Sequence, residues 1–232
     1  MVMDVGSMSG TDARKFARII PGANVVAFEG NPDNYQAMCA DAELQKRGVR
    51  VLHRLVSNRE GERQFFLQRP TQISADTRIN KGTSSLMRRN EPGMKIEEIC
   101  VDAVRIDAFM AREYSDKQCA AMWVDVEGHA YEVLEGIDEV RGRVCVMHVE
   151  VETREIWPGQ KIEPDILALA EGMGFICIAR GKHNEQRDII LVKESWYNAN
   201  RAKISILLFV SKWVGPLFSR GLMASAGLTA SI

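Results

Sequence analysis

Short apolar runs alternate along this chain with segments whose apolar residues recur at helical spacing. The first run, Met1 to Val5, turns through Gly6 and Gly10 into a helical segment, Thr11 to Ile20, with Phe16, Ile19 and Ile20 on its apolar face. Ser9 or Thr11 is placed to cap that helix. A second run, Asn24 to Phe28, ends on Glu29. Pro32 then suits a helix's first turn, and Tyr35, Met38, Cys39 and Ala42 repeat at helical spacing until Gly48 closes the segment. Val49 to Val56 predicts a strand, Asn58 to Gly61 a turn, and Gln64 to Leu67 the returning strand of a hairpin. Residues 70–95 are polar and predict a long loop, which in a compact domain usually serves function.

Beyond that loop, strands are expected at Cys100 to Ile106, Ala120 to Val126, Val144 to Val151, Phe175 to Ile178 and Asp188 to Val192. Between them lie a short helix through Tyr114, a helix carrying Tyr131, Val133, Leu134, Ile137 and Val140, and another from Ile166 to Met173. This alternation predicts an α/β fold, a mostly parallel sheet with helices on both faces. Residues 1–195 form the expected domain, whose first strand starts so abruptly that a preceding segment is expected to be missing. The tail, 196–232, differs: its apolar run Ile204 to Val210 is broken by Lys212, Trp213, Gly215 and Pro216, and falls short of the ~20 apolar residues of a membrane span. It reads as a helix packed on the body or on a partner. Peripheral membrane contact, helped by Arg201, Lys203, Lys212 and Trp213, is the alternative.

Composition narrows the class. A 232-residue chain with 46% apolar and 26% charged residues is an ordinary soluble globule, and a formal charge of −1 gives no basis for general nucleic-acid binding. Its five cysteines are odd in number and scattered, which predicts reduced, mostly buried thiols in the cytoplasm rather than a disulfide frame or zinc site. The four histidines show no metal-ligand spacing, and no signal peptide precedes the first strand.

The candidate chemistry starts with Asp4, Gly6, Ser7 and Gly10. Glycines there let the backbone approach a ligand, and the helix start that follows offers unpaired N–H groups. Glu29 follows Asp4 by 25 positions, the length of one strand–helix–strand unit, and an acidic residue ending the second strand can accept both hydroxyls of a ribose. The loop lacks the G-x-G-x-x-G of dinucleotide folds, and Asp4 would repel a pyrophosphate. A carboxylate suits a sulfonium ligand bearing an amino group, so S-adenosylmethionine is favoured over a nicotinamide cofactor. A second constellation is Asp125-Val126-Glu127-Gly128-His129, with Glu150 ending the next strand. If the first strand lies beside 120–126, Asp125 and Glu127 emerge next to the glycine loop. There they could take a proton from a hydroxyl or hold a divalent ion that does so, with His129 as a further base.

These motifs resemble the FkbM family of S-adenosylmethionine-dependent methyltransferases. The matching pieces are Asp4-Val5-Gly6, Val26-Ala27-Phe28-Glu29 with Asn31, Pro32 and Asn34, Val56-Ser57-Asn58 with Gly61, Thr83-Ser84-Ser85-Leu86, Val104 to Asp107, Val124 to Gly128 with Val133 to Gly136, and His148-Val149-Glu150. They stand in family order over roughly residues 2–180. The resemblance implies a class I (Rossmann-like) methyltransferase fold of seven strands, the last antiparallel. It implies O-methylation of a hydroxyl on a sugar, glycan or small natural product. Asp4, Gly6 and Gly10 would line the methionine part of the cofactor, Glu29 would hold its ribose, Asn31 would lie at the adenine edge, and Asp125 and Glu127 would face the acceptor. The chain departs from the family pattern at Met8, where the first loop usually has asparagine, at Gly30, where proline is common, and at Ala130, where a second glutamate is frequent. Those departures and the abrupt start motivate the competing expectation of a non-catalytic cofactor-binding module docked through its tail.

Overall fold

In the computed structural model, residues 1–70, 83–89, 93–116, 119–181 and 185–201 are described. The strands are β1 (Val2–Val5), β2 (Val25–Glu29), β3 (Arg50–His53), β4 (Leu55–Val56), β5 (Gly61–Pro70), β6 (Met94–Val104), β7 (Cys119–Val124), β8 (Val144–Glu152), β9 (Phe175–Arg180) and β10 (Gln186–Lys193). The helices are α1 (Thr11–Ile19), α2 (Pro32–Ala40), α3 (Ala42–Lys46), α4 (Ile106–Glu113), α5 (Ala130–Glu135) and α6 (Glu163–Gly172). Seven strands form one sheet in the order β3-β2-β1-β7-β8-β10-β9, parallel except for β10, which runs antiparallel to both its neighbours. Every residue of β1 and β2 is buried, which is why they read as unbroken apolar runs and not as alternating ones.

The strand order reverses between β1 and β7, so β1 feeds the crevice where such sheets bind ligands. The main core runs from Val5 and Val124 through Val149 to Ile189, and the Phe28 ring meets Phe109 edge-on at 5.2 Å. Each such fully buried side chain contributes about 1.5–3 kcal/mol, which holds the strand ends carrying the site rigid.

A second sheet corrects the expected hairpin. The run Val49 to Val56 divides at Arg54: β3 continues the main sheet beside β2, whereas β4 leaves it to pair in parallel with β6. β5 returns antiparallel to β6 over ten positions, Gly61 opposite Ala103 to Pro70 opposite Met94, and not to the preceding strand. The turn at 58–60 therefore joins two strands that share a central partner, and the strand expected at Cys100 to Ile106 is the end of that partner, which stops at Val104 before α4 begins at Ile106, and not a strand of the main sheet. Leu55, Phe65, Leu67, Val101 and Ala103 give this sheet its own small core.

Two smaller expectations also change. Neither Ser9 nor Thr11 caps α1: their hydroxyls bond each other at 2.8 Å, and Gly10 stands at the cap with a left-handed backbone. Of the described thiols, Cys39 and Cys100 are exposed and Cys145 and Cys177 half-buried, Cys177 packed against the edge of the main core, so they are less buried than expected. All four are free, in keeping with the absence of a disulfide frame. Residues 194–201 are helical and begin the tail; residues 202–232 lie outside the described residues, as do 71–82 and 90–92 of the expected loop. Among the described residues no helix is long and apolar enough to cross a membrane.

Candidate active site

The glycine loop is clamped between two strands. The amides of Gly6 and Ser7 donate to the Phe28 carbonyl of β2, and the Asp125 amide donates to Val5. A Cβ on Gly6 would stand 1.7 Å from the Asp125 carbonyl oxygen, and its φ is +82°, so this position admits only glycine. The floor of the cofactor site and the start of the acidic loop are thus in backbone contact.

Asp4 lies beneath that loop, fully buried. Its Oδ2 accepts the Ser7 hydroxyl at 2.5 Å and the Ala13 amide at 3.0 Å, so it supplies the cap that α1 lacks locally. Burial raises its pKa to about 6, against the lowering effect of these two hydrogen bonds. Glu29 ends β2, with one oxygen accepting the Met8 amide at 2.6 Å and the other the Asn31 amide at 2.7 Å; burial likewise pushes its pKa up. Asn31 is buried and caps α2 by accepting the Asp33 amide at 3.0 Å. Met8 holds the left-handed φ of +49° for which asparagine is better suited, so the departure noted in sequence falls on a strained residue.

Beside Glu29, the cleft is lined by Phe28, Gly30, Leu55, Phe65 and Leu86. A Cβ on Gly30 would come within 2.4 Å of Leu55 and 3.2 Å of Phe65, so the absence of a proline there lets the small sheet close on the cleft. An apolar slot next to a strand-end glutamate and a glycine loop fits an adenosine with its amino-acid arm.

Asp125 and Glu127 line the same cleft. Carboxylate oxygens of Asp125, Glu127 and Glu150 gather within 4.8 Å of one another, a cluster that could share protons or accept a hard cation. Burial, followed by the neighbouring carboxylates, pushes Glu127 up to about 8 and Glu150 up to about 9, and burial raises the pKa of Asp125. The hydrogen bond with Glu150 works against that burial and favours the charged form of Asp125. Two residues not singled out in sequence complete the group. Glu152, at the end of β8, is buried and raised to about 7, mainly by that burial. Gln186, on β10, donates to Glu150 at 3.0 Å and to Glu127 at 3.5 Å. Only the antiparallel pairing of Gln186 opposite Glu152 brings this glutamine in, a relationship invisible in a linear reading.

His129 is not brought into this group. Its Nε2 lies 3.0 Å from the Ser57 hydroxyl and its Nδ1 3.3 Å from Glu132, and burial lowers its pKa to about 4, leaving it neutral. It lies in the packing between α5 and the chain after β4 and does not line the cleft that Asp125 and Glu127 share. Glu127 itself has φ +50° and Gly128 φ +89°, with the Gly128 backbone seated on the Trp157 ring.

A strand order with one antiparallel strand inserted before the last, a glycine loop after β1 and a buried glutamate ending β2 define an S-adenosylmethionine-dependent methyltransferase of class I. The chain belongs to the family of the Methyltransferase FkbM domain, which matches residues 4–177. It is 24% identical over 200 residues to 2-O-methyltransferase NoeI from Sinorhizobium fredii, covering 82% of this chain and 78% of that protein. It is 26% identical over 195 residues to methyltransferase sdnD from Sordaria araneosa, covering 75% of this chain and 73% of that protein. Among solved structures it is similar to magnesium protoporphyrin IX methyltransferase (ChlM) from Synechocystis PCC 6803 with bound S-adenosylmethionine, at 12% identity and a TM-score of 0.45, over 83% of this chain and 69% of that one.

Proposed function

We propose that this enzyme methylates a hydroxyl of a sugar, glycan or small natural product, with Asp125 as the base and Glu127 and Glu150 holding the acceptor. The observation that carries this reading is the carboxylate cluster set directly against the cofactor floor at the Gly6–Asp125 contact. The 2-O-methyltransferase relative supports an oxygen acceptor.

S-adenosylmethionine, when bound, supplies a methyl group already activated on a sulfonium. What remains for the protein is alignment and removal of a proton. Glu29 would hold the ribose hydroxyls, the Gly6 to Gly10 loop would bear on the amino-acid arm, and Asn31, which caps α2 just beyond Glu29, would lie toward the adenine edge. In its charged form, which the Glu150 hydrogen bond favours, Asp125 would accept the proton that the acceptor hydroxyl gives up on methylation. Glu150 and Glu127, carrying protons at neutral pH, can donate to neighbouring acceptor oxygens as well as accept from them, which suits a polyol.

Residues 1–195 constitute the catalytic unit in this reading, the acceptor is a small molecule or saccharide and not nucleic acid, and the free thiols accord with a cytoplasmic setting. The test is release of S-adenosylhomocysteine against a panel of methyl glycosides and hydroxylated small molecules. Asp125→Asn should abolish turnover while binding S-adenosylhomocysteine within a few-fold of wild type; unchanged turnover would remove Asp125 from the reaction.

A further inference from the structure

We propose that Ser85 is a positioning residue for the reaction, holding Glu127 in the backbone conformation that aims its carboxylate into the acceptor cleft. The inference rests on the reading of Glu127 given above.

Glu127 is one of only two non-glycine residues at positive φ among the described residues, and a glutamate in that region is strained unless its surroundings fix it. On one side the next residue packs against the Trp157 ring, where a Cβ on Gly128 would lie 2.8 Å from it. On the other, the Ser85 hydroxyl donates to the Glu127 carbonyl oxygen at 2.6 Å.

Ser85 is itself fully determined. It is 2% exposed, its backbone exchanges both hydrogen bonds with Phe66 of β5 (2.9 and 3.2 Å), and its hydroxyl accepts the Met87 amide at 3.0 Å. The hydroxyl thus accepts from the Met87 amide with one lone pair and gives its single proton to the Glu127 carbonyl. Its neighbours Ser84 and Leu86 line the cofactor cleft. One short segment, braced on the second sheet, therefore touches the cofactor slot and sets the acidic loop of the first sheet. The side chain of Glu127 is held separately by Gln186, so loss of Ser85 frees the backbone turn while leaving the carboxylate its amide partner.

The experiment compares wild type with Ser85→Ala, Ser85→Thr, Glu127→Gln and the double variant Ser85→Ala/Glu127→Gln. Amide hydrogen exchange is measured on the full chain with S-adenosylhomocysteine bound, and kcat on an acceptor from the glycoside panel. Ser85→Ala should exchange about tenfold faster in peptides spanning 125–130, with the β8 peptides unchanged. Its kcat should fall about 10–100-fold with S-adenosylhomocysteine affinity within about twofold of wild type. Ser85→Thr, which keeps the hydroxyl, should recover most of both, and the double variant should be no slower than Glu127→Gln alone.

Unchanged exchange at 125–130 in Ser85→Ala overturns the proposal even if no acceptor in the panel turns over. So does a double variant in which the two losses simply add, a result that stands if crowding prevents Ser85→Thr from folding. A Glu127→Gln enzyme with full kcat sinks the underlying reading of Glu127; a slow Glu127→Gln beside a fully active Ser85→Ala sinks the role of Ser85 alone.

Discussion

The amide of Ala13 donates to the carboxylate of Asp4 across nine residues, at 3.0 Å, so α1 is capped by the strand that precedes it. The Ser7 hydroxyl meets the same oxygen, which stitches strand, loop and helix into one piece beneath the cofactor. The cost of the arrangement is a carboxylate taken out of water.

That cost has a sign. The Asp4 pKa is raised from 3.8 to about 6, so between those values the folded protein keeps a proton that the unfolded chain has lost. This group therefore lowers stability as pH rises through that window, by about 3 kcal/mol once above it. Because both donors use one oxygen, an amide can replace the carboxylate. Asp4→Asn should melt about 5–10 °C higher than wild type at pH 7.5 and the same at pH 4, by thermal denaturation at the two pH values.

Glu29 spends both oxygens on backbone amides that a ribose would displace. Glu29→Ala should therefore weaken S-adenosylhomocysteine by tenfold or more, about 1.4 kcal/mol, in calorimetric titration. Equal affinity would show that the backbone alone carries the cofactor.

Buried carboxylates in contact titrate as a set, and this one loses its protons late: Glu127 near 8 and Glu150 near 9. At neutral pH both carry the protons with which they hold the acceptor, so kcat should be level near pH 7 and fall between pH 8 and 9 as those protons leave. Glu150→Gln keeps a donor that cannot titrate, and should leave only the fall near pH 8 in a rate profile taken with saturating acceptor.

His129 offers the opposite sign. Its pKa falls from 6.5 to about 4 on burial, so its contribution to stability is present above pH 6.5 and is lost as pH falls toward 4. His129→Gln should cost about 1–2 kcal/mol in urea unfolding at pH 7.5 through the weakened Ser57 contact. Its kcat should stay within twofold of wild type, whereas a hundredfold loss would return His129 to the list of bases.

The parallel frame was legible because its strands are buried on both faces and so write themselves as apolar runs ending in Asp4, Glu29, Asp125 and Glu150. The second sheet was not. β5 pairs with β6 across residues 71–93, and a turn such as Asn58 to Gly61 carries no sign that its two strands share a third as partner. Motif reading found Asp125 and Glu127 and assigned them to one cleft, but it also promoted His129, since adjacency along the chain says nothing about which side of a left-handed turn a side chain leaves. Glu152 and Gln186 were missed for a related reason: their meeting depends on the register of an antiparallel strand 34 residues away.

The small sheet has a further consequence. Its core of Leu55, Phe65, Leu67, Val101 and Ala103 is separate from the one that supports the cofactor floor, and the chain enters it at the single break after His53. Leu55 and Phe65 of this sheet, with Leu86 between β5 and β6, are also walls of the cleft beside Glu29, so the sheet is a jaw that bears on donor and acceptor at once. Substitutions at those three positions should shift S-adenosylhomocysteine affinity and acceptor preference together, and a jaw grafted from a relative should carry both changes with it.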